Sequence, residues 1–248
     1  MRQERTGGGA LAWRAVLVML GMAACAALAQ SGPAQAASPY PAMAPVSAYM
    51  MERDAEIAMA RSAAPPSVSA GAEVLVLGPR GYVSAAPGKN GFVCLVERAW
   101  FSGLQDDGFW NPKLRGPDCY NRQAARSVLP TFLTRTKWVM AGASLPEIRA
   151  RTRAAMAAGR IRPPEIGGMN FMMSKDGYLG DDAGGPWHPH VMFFTPPLPT
   201  AEWGANLPGT RVYGTDAAAG DPYTTFYVPL AAWSDGTPDA AAGGHHTM

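Results

Sequence analysis

The chain has 248 residues, with 21 Lys and Arg against 19 Asp and Glu for a net charge of +2. It carries no basic run, which excludes nucleic acid and anionic membrane surfaces as expected partners. With 28 Gly and 23 Pro the backbone must turn often, while a 48% hydrophobic content excludes wholesale disorder.

Arg2, Arg5 and Arg14 flank an apolar run over residues 15–29, and Ala27-Leu28-Ala29 and Ala34-Gln35-Ala36 follow as small-residue exits. A charged start, a short apolar middle and an A-x-A end predict a secretory signal peptide over residues 1–36. At about 15 residues the run is too short to span a bilayer, so no transmembrane segment is expected in the mature chain. Removing it takes away three Arg and one Glu and leaves a neutral mature chain of 212 residues, enough for one domain with its own core. The predicted location is secreted or periplasmic. Cys25, after Met22-Ala23-Ala24, offers lipoprotein anchoring as the alternative, against which the downstream A-x-A sites count.

Residues 37–45 read as a Pro/Ala linker. Residues 46–63, rich in Ala, Met and Glu, predict a helix stopping before Pro65-Pro66. Residues 73–77 predict a strand, Gly78-Pro79-Arg80-Gly81 a turn, and residues 92–96 a further strand after the hairpin signal Asn90-Gly91. Three short antiparallel strands are therefore expected over residues 73–98. Residues 100–121 form an irregular aromatic segment. A helix is expected over residues 123–140, interrupted or kinked at Pro130. Ser144-Leu145-Pro146-Glu147 is a capping box opening a helix through Ala158, with Gly159 as its stop. Strands are expected again at residues 169–174, 191–195 and 224–228. Residues 237–248 are small and polar and read as a disordered tail. The pattern predicts an α+β fold, with a mainly antiparallel sheet and two or three helices in one loop-rich domain over residues 46–236.

Of three cysteines, Cys94 and Cys119 remain in the mature chain, and an even pair in an oxidising compartment predicts a disulfide.

Four histidines fall in two pairs, His188 with His190 and His245 with His246. The second pair lies in the expected tail. In an extended segment residues two apart share a face, so His188 and His190 are able to converge on one ion. Asp176, Asp181 and Asp182 lie just before them across a Gly-rich turn. Two His and one carboxylate suit a divalent transition metal with open positions, which makes His188, His190, Asp181 and Asp182 the metal candidates. The alternative is that the histidines cap a loop beside an aromatic strand. Met169, Met172, Met173 and Met192 would suit copper, or serve as core filler. In residues 100–121, Trp110, Asn111 and Arg115 are candidates for stacking and hydrogen bonding to a ring-shaped ligand. The same aromatics equally suit a loop packed on the sheet.

There is no G-x-S-x-G elbow, no S-x-x-K, no C-x-x-C-H haem attachment, no phosphate-cradling glycine loop and no dinucleotide fingerprint. Two functions remain open. One is an exported protein, enzymatic or not, that binds a metal or small molecule through His188 and His190. The other is a non-catalytic envelope protein that binds a ligand or partner through the aromatic loop 100–121.

Several runs carry a likeness: residues 54–58 and 60–65, Asn90 to Arg98, Phe109 to Lys113, Trp187-His188-Pro189-His190 and Trp233 to Gly236. Together they resemble a group of secreted bacterial proteins known as hypothetical proteins, across about residues 46–238. The resemblance implies a single exported domain and brings no activity, ligand or site residue.

Overall fold

The computed structural model describes residues 38–180, 188–217 and 220–240. Asp181, Asp182, Cys25, His245, His246 and the predicted signal peptide therefore lie outside the described residues. Among those described, no helix is long and apolar enough to cross a membrane.

Eight strands form one sheet: β1 Glu73–Gly78, β2 Gly81–Ala86, β3 Val93–Glu97, β4 Gly116–Tyr120, β5 Met169–Met172, β6 His190–Thr195, β7 Tyr213–Thr215 and β8 Thr224–Pro229. Their order is β2-β1-β3-β4-β5-β6-β8-β7. Among the described residues five α-helices accompany them: α1 Arg53–Arg61, α2 Pro66–Ser69, α3 Arg122–Ser127, α4 Leu129–Met140 and α5 Leu145–Ala157. The fold is α+β with a mainly antiparallel sheet.

One pairing departs from the expected meander. β1 and β2 form the predicted hairpin, with Leu77 opposite Tyr82, but β3 lies parallel to β1 on its other side. Asn90 makes no tight hairpin turn between β2 and β3. Its side chain bonds the Val68 carbonyl at 2.7 Å and the Phe92 amide at 3.0 Å, tying the crossover to α2. β3 then pairs antiparallel with β4, and Cys94 stands directly opposite Cys119, where the predicted disulfide forms. Closing a 25-residue loop, it contributes about 3 kcal/mol in the chain-entropy account.

Helix boundaries follow local chemistry. The expected helix over residues 46–63 begins instead as a 3-10 turn at Val46–Tyr49 and restarts as α1. Glu52 caps it, its carboxylate accepting from the amides of Asp54 and Ala55. Pro130 kinks nothing: the chain breaks at Val128, and Pro130 sits in the first turn of α4, where its missing N–H costs no helical bond. The Ser144–Glu147 capping box opens α5 as predicted.

The sheet buries both faces. Leu75, Leu77, Leu95, Tyr120 and Phe194 pack with Val128, Leu129, Val139 and Ile148 from the helical layer and with Trp100 and Phe109. On the other face Val74, Cys94, Val96 and Cys119 meet Ala60, Ala63 and Ala64, whose small side chains let α1 and the turn after it lie close. At the C-terminal end, Ala232 bridges Pro238 and the Asp239 amide donates to the Ala231 carbonyl. Residues 237–240, the start of the expected tail, are thus tied into the fold.

Candidate functional site

Two groups of polar side chains lie on the sheet. The first is the sequence-predicted histidine pair. Pro189 removes a backbone donor just before β6, and His190 opens the strand opposite Met172 on β5 and Pro229 on β8. His188 Nδ1 lies 2.8 Å from Asp239 Oδ2, and His190 Nδ1 lies 2.9 Å from the His188 carbonyl oxygen. A carbonyl accepts only, and a carboxylate likewise, so each Nδ1 is the donor and a neutral ring carries its lone pair on Nε2. Asp239 is 7% exposed and His188 28%. Burial lowers the pKa of His190 below the ordinary histidine value, which favours its neutral, ligating form. Its ring also lies 5.9 Å from that of Tyr227. Among the described residues, no group of three or more His, Cys, Asp or Glu is placed to hold a metal ion.

The aromatic loop arranges its three candidates differently. Trp110 is 6% exposed, its ring edge-on to Phe109 and its carbonyl accepting from the Tyr49 hydroxyl at 2.8 Å. Asn111 is 2% exposed, and its side-chain oxygen caps the Lys113 amide. The Arg115 guanidinium donates to the carbonyls of Pro112 and Leu114 at 2.9 and 2.8 Å. Burial and the nearby Arg98 charge lower its pKa to about 10. The loop folds back on its own carbonyls and presents no Trp110 ring to solvent.

The second group was not legible as a site in the sequence. Asp118 on β4 stands opposite Leu95 on β3, and Glu97 is two residues beyond Leu95, so the two carboxyl groups are diagonal neighbours on one face. They are within hydrogen-bonding reach of each other. The Tyr120 hydroxyl donates to Glu97 Oε1 at 2.7 Å, and Asn170 Nδ2 donates to Asp118 Oδ2 at 2.6 Å. Asp118 and Asn170 are fully buried, while Glu97 is only half-buried. Gly116, opposite Glu97, is what leaves room: a Cβ there would lie 3.2 Å from Met172 Cε and 3.4 Å from Glu97 Cβ.

Burial raises the pKa of Glu97, against the hydrogen bonds from Asp118 and Tyr120. Asp118 is raised further, first by burial and then by the Glu97 charge. Both shifts favour a proton on the pair, and the larger push falls on Asp118. Extending the β4–β5 register by one residue sets Asp118 beside Met172, which faces His190. Asp118 and His190 thus flank Met172 on one sheet face, two strand spacings or about 10 Å apart, with Glu97 one strand further off.

Comparison of the chain with family models, curated proteins and solved structures finds no match in any of the three. The site's own geometry therefore carries the functional reading.

Proposed function

We propose that this is an exported protein that holds a divalent transition metal at His188 and His190. The observation that carries this reading is the anchoring of both rings through Nδ1, one on the Asp239 carboxylate and one on a backbone carbonyl. Protein ligands to zinc and similar ions are held this way: an acceptor behind the ring fixes the tautomer, aims Nε2 and raises its basicity. Asp181 or Asp182, just upstream, would supply the third donor, leaving positions open for water or a small molecule. A metal so placed would acidify its bound water and polarise a carbonyl or phosphoryl oxygen. Export is supported by the signal-peptide pattern of residues 1–36 and by the Cys94–Cys119 disulfide, which needs an oxidising compartment.

The test is metal content in mature protein purified without an affinity tag, carrying His245→Ala and His246→Ala so that the tail binds nothing. The expected result is near-stoichiometric zinc, iron or copper, lost when His188→Ala and His190→Ala are added. Asp239→Asn should keep the metal but weaken its affinity by about 10- to 100-fold, the usual effect of removing an anchoring carboxylate. No metal in the parent protein, even after incubation with excess zinc, overturns the reading.

A further inference from the structure

The geometry points to a second site, independent of the histidines: Glu97 is a ligand-facing acid–base residue, and Asp118 is the positioning residue that supplies its proton. The observation behind it is Asp118 Oδ1, a fully buried carboxyl oxygen that accepts no hydrogen bond, the nearby Tyr120 hydroxyl being given to Glu97. Its neighbour is the Glu97 carboxyl, which as an anion also only accepts. Two acceptors meeting in a buried place are satisfied by one proton between them. The other Asp118 oxygen is held by Asn170, whose own Oδ1 accepts the Met192 amide, so Asp118 has a fixed orientation. Tyr120 fixes Glu97 in the same way. Of the two carboxyl residues, only Glu97 is less than fully buried.

Neither carboxyl forms an ion pair with Lys or Arg among the described residues. The charged and titratable groups around the pair are few. Tyr120 is in contact, and burial with the two carboxyls raises its pKa well above the ordinary value, so it stays a neutral donor. Tyr82 on β2 is likewise raised by burial, and it lies within the electrostatic range of Arg98, Glu56, Glu97 and Arg115. The Arg98 charge is already engaged by Glu56.

The pair as a whole carries one negative charge and one transferable proton. Such a site disfavours anions and suits a small neutral or cationic molecule that brings a proton-accepting group. An ionised carboxylate beside a protonated one is the arrangement by which two carboxyls divide the roles of base and acid near neutral pH.

A water-soluble carbodiimide tests this on the intact mature protein. The Glu97 oxygen adds to the central carbon of the reagent while the shared proton passes to its nitrogen, and the O-acylisourea rearranges to a stable N-acylurea found by peptide mass spectrometry. At neutral pH an ordinary carboxyl lacks that proton and reacts slowly. Glu97 should therefore label at least tenfold faster than the exposed Asp54. Asp118→Asn keeps a hydrogen bond to Glu97 but has no proton to give, and should cut Glu97 labelling at least tenfold. Tyr120→Phe removes a donor that stabilises the Glu97 anion, and should leave labelling at or above the parent rate. Equal labelling of Glu97 in Asp118→Asn and the parent overturns the proposal. So does an unlabelled Glu97 in folded parent protein, a result that needs no variant to fold.

Discussion

Glu97 and Arg98 are consecutive in the chain, at the end of β3 and just past it, and they meet burial in opposite ways. Arg98 is fully buried against Glu56 at 2.9 Å, with Nε donating to the Tyr49 carbonyl at 2.7 Å and a further donor on the Val96 carbonyl. Glu56 in turn accepts from the Leu77 amide at 3.1 Å. That pair is closed: opposite charges cancel, and the surrounding polar atoms complete its hydrogen bonds. Glu97 instead faces another carboxyl, and it is a proton rather than a cation that reconciles them. The first arrangement fixes α1 and the chain around Tyr49 to the sheet. The second stores a titratable proton beside the solvent. Adjacent residues on a strand point to opposite faces, so one short segment is able to carry both.

The largest effect should come from breaking the closed pair. Arg98→Ala leaves Glu56 as a buried, uncompensated charge and strips donors from two buried carbonyls. It should cost about 3–5 kcal/mol, measured as a shift in the denaturant midpoint with unchanged slope. A loss under about 1 kcal/mol would mean that water reaches Glu56 and that the contrast with Glu97 is not one of burial.

Next in size is the clamp behind both pairs. The disulfide joins β3 and β4 on the face turned away from Glu97 and Asp118, and it holds the register that sets the two carboxyls diagonal to each other. Replacing Cys94 and Cys119 together by Ser should lower stability by about 3 kcal/mol. Were the strand register to persist, the rate of carbodiimide labelling at Glu97 would stay near the parent value. Loss of selective labelling at full folding would show that the carboxyl contact depends on the clamp.

Much of the frame was readable from the chain, because its signals are local. The β1–β2 hairpin, the α5 capping box and the strand at β6 each rest on a few neighbouring residues whose preferences agree with the fold. β4 was not readable: Gly116, Pro117 and Asp118 are poor strand formers, and only burial between β3 and β5 makes them one. Its loss from view hid the site, since Asp118 looks like a loop acid until the register places it beside Glu97. The parallel pairing of β3 with β1 was likewise hidden, because Asn90-Gly91 offers a hairpin signal that the crossover overrides. His188 and His190 were found through their spacing alone. The anchor of His188, Asp239, lies 51 residues away and fell in a segment whose composition reads as tail.

The smallest effect is the most specific to the carboxyl pair, because it is a pH dependence set by Asp118. The folded-state pKa of Asp118 is raised by burial and by Glu97, whereas an unfolded Asp titrates near 3.9. Between those values the native state binds more protons than the unfolded one, so stability falls as pH rises from about 4 through the folded value. The slope for one proton is at most about 1.4 kcal/mol per pH unit. Asp118→Asn removes the group and should flatten the denaturant midpoint over that window. Its curve should meet or cross the parent's at the alkaline end, where the parent must carry two adjacent negative charges, one of them fully buried. Parallel curves for the two proteins would mean that the buried carboxyl is already ionised near neutrality. That would make the Glu97–Asp118 pair a second closed structure, compensated by something other than a proton.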